Sequence, residues 1–153
     1  MRIPLRALTA AGSLLVTGCG PATRADIGVT QAAGHPTVVL YVCDDQPHLT
    51  VRVYYAQRDT ANYTLTGHAK KHETVRVPLG AASAGWVLHG VRMPLPSGTQ
   101  VEADAEDGSG YRLNAAVYFT LAEVPASPEV GVGDLKLARL TTSAFAKRAS
   151  SLC

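Results

Sequence analysis

Beyond residue 37, apolar and polar residues alternate over much of the chain, and a period of two marks strands with one buried face. Leu49, Val51, Val53 and Tyr55 alternate with Thr50, Arg52 and Tyr54. Val75, Val77 and Leu79 flank Arg76, with Pro78 placing that end at a sheet edge or strand terminus. Val101, Ala103 and Ala105 oppose Glu102, Asp104 and Glu106. After the turn residues Asp107, Gly108, Ser109 and Gly110, a second face is formed by Leu113, Ala115, Val117, Phe119 and Leu121. These two runs, 99–106 and 111–122, predict a hairpin. Residues 37–43 (TVVLYVC) are a continuous β-branched and apolar run, the pattern of a strand covered on both faces. Shorter strands are predicted at 63–66 and 85–89. Helical spacing occurs only at the end, where Phe145, Ala149 and Leu152 share a stripe behind a Thr142 or Ser143 cap. Six or seven short strands between turn signals predict an all-β fold: an antiparallel β-sandwich, immunoglobulin-like or a related Greek key, with a short C-terminal helix.

The N-terminus follows a different pattern. Arg2 and Arg6 precede a short apolar stretch at 7–16 (ALTAAGSLLV), too short to span a bilayer and followed by small residues, as in a secretory leader. It closes on Val16-Thr17-Gly18-Cys19, which resembles the lipobox of bacterial lipoproteins, with Val in the place more often held by Leu. The resemblance covers about the first 20 residues and implies an address rather than an activity. Residues 1–18 would be a removed signal peptide, and Cys19 would carry the acyl chains that fix the protein to the cell membrane on its extracytoplasmic side. Residues 20–36 are rich in small side chains and predict a flexible tether (19–36 counting Cys19), leaving 37–153 as the sandwich domain. An ordered first strand around Ile27 to Thr30 is the alternative.

Composition narrows the function classes. With 46% apolar and 17% charged residues the chain is a folding sequence, and no run of apolar residues is long enough for a transmembrane helix. Removing Arg2 and Arg6 from the 14 basic residues leaves 12, matched by 12 acidic ones, so a nucleic-acid partner is not expected. With Cys19 lipidated, Cys43 and Cys153 remain, and an even pair in an exported chain predicts a disulfide. It would close a loop of more than 100 residues, worth about 4 to 5 kcal/mol in the chain-entropy picture. Trp86 lies between these cysteines, but Cys153 follows the predicted helix, so the pair does not match the inter-sheet pin of antibody domains.

Candidate chemistry is sparse. His68 and His72 have the i, i+4 spacing that shares a metal on a helix, with zinc or copper the candidates. They lie between strand patterns, however, beside Lys70 and Lys71, and a solvated loop is the expected outcome. Glu102, Asp104, Glu106 and Asp107 offer oxygens suited to calcium but read as the wet face of a strand. Asp44 and Asp45 with His48 have the residue types of acid/base chemistry, but two adjacent Asp before a Pro read as turn formers and no nucleophile accompanies them in sequence. The chain has no G-x-S-x-G, S-x-x-K, P-loop or dinucleotide fingerprint. Tyr54 and Tyr118 fall on outward positions and could contribute to a patch for a protein or glycan. The expectation is a cofactor-free binding or structural module of the cell envelope, not an enzyme, with a protein or envelope partner. The alternatives are a small hydrolase assembled from His48, His68, His72 or His89 with Asp or Ser, and a metal carrier using His68 and His72.

Overall fold

The computed structural model describes residues 24–153 apart from 57, 81, 82, 92, 93 and 135, and the side chain of 114. Cys19 and the leader lie outside the described residues. Among the described residues ten strands form two antiparallel sheets, and one α-helix follows them. The strands are β1 (Ala25–Ala32), β2 (His35–Val42), β3 (Gln46–Tyr55), β4 (Tyr63–Ala69), β5 (Thr74–Pro78), β6 (Val87–Gly90), β7 (Val101–Asp107), β8 (Arg112–Phe119), β9 (Glu129–Val132) and β10 (Ala138–Thr141). The helix α1 spans Thr142–Leu152. One sheet has the order β10-β9-β1-β2-β5 and the other β6-β4-β3-β7-β8. The protein is a β-sandwich. Within it, the order β1-β2-β5 facing β4-β3-β7-β8 is that of the A-B-E and C′-C-F-G strands of immunoglobulin sandwiches.

The alternation read from the sequence is the alternation of burial. Leu49, Val51 and Val53 of β3, Val101, Ala103 and Ala105 of β7, and Leu113, Val117 and Phe119 of β8 face inward. They meet Ile27, Val29, Val38, Leu40 and Val77 of the opposite sheet. Trp86 packs at the margin of this core over Gly67, where a Cβ would come within 2.9 Å of the indole ring.

Residue 37 was the expected start of the domain, and here the structure corrects the reading. Residues 25–32 are β1, paired along its length with β2 from Ala25↔Val42 to Ala32↔His35, so the predicted tether does not extend to Pro36. The alternative, an ordered strand through Ile27 to Thr30, is what forms. Small residues are required in β1 rather than incidental. Gly28 sits where β9 crosses closely, and a Cβ there would lie 2.5 Å from Val130 Cγ1 and 2.8 Å from the Gly131 carbonyl oxygen.

The outer face of this first sheet is also buried, because α1 lies across it. Phe145 and Ala149 pack against Val39, Tyr41, Val130 and Val132 as a second apolar cluster. Thr141 caps the helix, its Oγ1 accepting from the Ala144 N–H at 3.1 Å. Cys153, just past the helix, is bonded to Cys43 at the end of β2, with a Cα–Cα separation of 5.3 Å. This is the pairing expected from the cysteine count. No helix among the described residues is long and apolar enough to cross a membrane.

Candidate functional site: the outer face of the second sheet

Among the described residues no helix lies on the outer side of the second sheet, since α1 makes its main contacts with β1, β2, β9 and β10. Cross-strand register places the outward residues in rows. Thr66, Thr50 and Glu106 form one, Thr64, Arg52 and Asp104 the next, and Tyr54, Glu102 and Tyr118 the third.

The middle row holds a charge lattice. Arg52 and Asp104 are direct partners between β3 and β7, and the guanidinium grips the carboxylate in bidentate fashion. Nε donates to Oδ1 at 2.8 Å and Nη2 to Oδ2 at 2.7 Å. Nη1 of Arg52 reaches Glu106 at 2.8 Å, and Arg112 adds a second cation to Asp104 at 3.1 Å. Asp104 therefore sits beneath two arginines, its side chain only 2% exposed. Sequence alternation marked Asp104 as a wet position. It does face outward, but the arginines cover it. The hydrogen bonds to Asp104 hold the Arg52 guanidinium even more firmly protonated than usual.

Above the lattice stand the two tyrosines. Arg52 lies over the Tyr54 ring, 5.7 Å from its centroid, so Tyr54 is buried although it points away from the core. Tyr118 is half-buried and is the cross-strand partner of Glu102. Both phenols are pushed above their ordinary range. Burial is the main cause in each, followed by the Asp104 charge for Tyr54 and the Glu102 hydrogen bond for Tyr118. Both therefore present neutral hydroxyls at physiological pH. Tyr54, Glu102, Tyr118, Arg112, Arg58 and Asp59 line a shallow open cavity of about 450 Å³. Such a surface offers fixed donors, acceptors and ring faces, and its described lining includes no serine, cysteine or histidine.

The other candidates are dispersed. His68 lies in β4, not on a helix, and is exposed. His72 sits in the following turn with φ of +60°, its Nδ1 3.1 Å from the Tyr41 hydroxyl. The strand and turn between them remove the helical spacing on which a shared metal depends. Among the described residues no group of three or more His, Cys, Asp and Glu is placed to hold a metal ion. His48 and His68 line a second cavity of about 380 Å³ with Thr50, Thr66 and Val87, and its described lining includes no carboxylate or serine. His89 is engaged by the Thr66 hydroxyl at 2.9 Å. Asp44 and Asp45 tie down neighbouring chain, Asp44 facing Arg24 at 3.9 Å and Asp45 accepting from the Lys71 N–H at 2.9 Å. Of the acidic run, Asp104 and Glu106 are engaged by arginines, and Glu102 lies opposite Tyr118 across the β7–β8 pair. Asp107 accepts from Ser109 and Tyr111 within the β7–β8 turn.

Comparison with known proteins finds no matching family model, no matching curated protein and no matching solved structure.

Proposed function

We propose that the chain is a membrane-anchored extracytoplasmic lipoprotein acting as a binding module of the cell envelope, with the outer face of the second sheet as its recognition surface. The observation that carries this reading is the contrast between the two outer faces. One is sealed by α1, while the other presents an ordered lattice of Arg52, Asp104, Glu106 and Arg112 beneath Tyr54 and Tyr118. Tyrosine and arginine are favoured at interfaces because they combine large contact area with directional polar groups. A lattice already held by its own hydrogen bonds loses little side-chain entropy on meeting a partner. The Cys43–Cys153 pair suits an oxidising compartment, and the Val16-Thr17-Gly18-Cys19 motif supplies the anchor. A binder is favoured over a hydrolase because the described lining of the His48 and His68 cavity brings no carboxylate, serine or cysteine to its histidines.

Two experiments test the reading. Cys19→Ala should release the protein from the membrane fraction and abolish acyl labelling, and a variant that stays membrane-bound and uncleaved would defeat the anchor. A photo-crosslinking residue at Tyr118 should trap a discrete envelope partner in intact cells, while one at Arg76 on β5 of the other sheet should not. Equal adducts at both positions, or none at Tyr118, would defeat the assignment of the face.

A further inference from the structure

Four residues, 20–23, lie between Cys19 and Arg24, the first described residue, making five Cα–Cα steps. Whatever their conformation, they span at most about 18 Å. Arg24 is itself fastened to the sandwich. Its N–H donates to the Leu113 carbonyl at 3.4 Å, its carbonyl accepts from Cys43 at 2.9 Å, and its guanidinium reaches Asp107 at 3.2 Å. β1 rises roughly 27 Å above that point, further than the tether can reach.

From this we infer that the sandwich stands on the bilayer on the end where β1 begins, with that end in contact with the lipid surface. The inference rests on the proposed acylation of Cys19. Strand register defines what lies at this end. It comprises the Cys43–Cys153 bridge, the 70–73 turn between β4 and β5, and the 108–111 turn between β7 and β8. Among the described residues, five large apolar side chains are exposed, and two of them are here: Tyr111 at 50% and Leu152 at 43%. An aromatic with a polar tip and an aliphatic at the same end suit the headgroup boundary, where such side chains gain from partial burial. Charge is not the driving force, because Arg24, Lys70, Lys71 and Arg112 share the end with Asp44, Asp45, Glu73 and Asp107. In this pose the Tyr54, Glu102 and Tyr118 row lies toward the far end of the second sheet, open to a partner approaching from away from the membrane.

The test uses the processed, acylated protein in phosphatidylethanolamine–phosphatidylglycerol vesicles containing a lipid with a nitroxide on its headgroup. One variant carries Tyr111→Trp and a second Val91→Trp, with native Trp86 as the common background. Val91 is exposed and follows Gly90, at the opposite end of the sheet. The Tyr111→Trp variant should be quenched about twofold more strongly than Val91→Trp, the contrast expected if only position 111 reaches the headgroup layer. The difference should survive raised salt and shrink when a long Gly/Ser linker is inserted before Arg24. Equal quenching, or stronger quenching at 91, in protein that floats with the vesicles and carries the acyl mass overturns the orientation while leaving the anchor intact. Protein that neither floats nor carries the acyl mass overturns both.

Discussion

At the scale of single residues, two buried carboxylates behave in opposite ways. Asp104 is covered by two arginines that compensate its charge, so removing it leaves Arg52, only 20% exposed, with a single remaining acidic partner in Glu106. Asp104→Ala should destabilise the protein by about 3 kcal/mol, read as a lowered urea midpoint with an unchanged slope. Asp26 sits under α1 with Arg148 at 3.2 Å and the Ile27 N–H at 3.0 Å, but its Oδ2 is buried without a hydrogen-bond partner. Burial outweighs Arg148 and lifts its folded-state pKa above the ordinary carboxylate value. A raised carboxyl pKa means that the native state binds more protons than the unfolded state across the window just above the usual value. Stability contributed by this group therefore falls as pH rises through the folded pKa. Subtracting the Asp26→Asn stability curve from that of the native protein should show a difference that declines from pH 4 towards neutrality. A flat difference would show that Arg148 fully offsets the burial. Asp107 works the other way: hydrogen bonds from Ser109 and Tyr111, helped by Arg24, hold its pKa down. Its contribution is present above the ordinary carboxylate range and is lost as pH falls through the depressed folded value.

At the scale of elements, α1 depends on one apolar stripe and one covalent bond. Phe145 is fully buried against Val39, Tyr41, Val130 and Val132, and Phe145→Ala should cost about 3 to 5 kcal/mol by cavity formation. Replacing both Cys43 and Cys153 by Ser frees a loop with a sequence separation of 110 residues and should cost about 4 to 5 kcal/mol in thermal or urea unfolding. In a Cys19→Ala background the oxidised protein should yield no titratable thiol under denaturing, non-reducing conditions. The helix stripe and the long strands were legible because each has a clear period. Leu152 belongs to the stripe by spacing, yet it is exposed, since it lies in the last turn of the helix. Four-residue strands such as β9 and β10 are too short to show a period. β1 does alternate, with Ala25, Ile27 and Val29 inward, but its other face of Asp26, Gly28 and Thr30 resembles a solvated linker. It is buried only because β9 and α1 arrive from more than 100 residues away.

At the scale of the whole molecule, function turns on what covers each face. The alternation of Val, Leu and Ala with Thr, Arg and Glu pointed to an antiparallel sandwich or barrel, because a period of two leaves each strand with one apolar face to bury. The cysteine count pointed to the pairing of Cys43 with Cys153, and the helical stripe to an element that could be clipped down by it. Alternation states which side of a strand a residue faces, not what lies over that side. Only the tertiary structure decided that one outer face is closed by α1, that Tyr54 and Asp104 point outward and are nevertheless buried, and that His68 lies in a strand and His72 in a turn. Each of these depends on contacts between residues distant in sequence, such as Arg52 with Asp104 and Arg148 with Asp26. A local period carries no record of such partners, whereas the folded sheet brings them within hydrogen-bond reach.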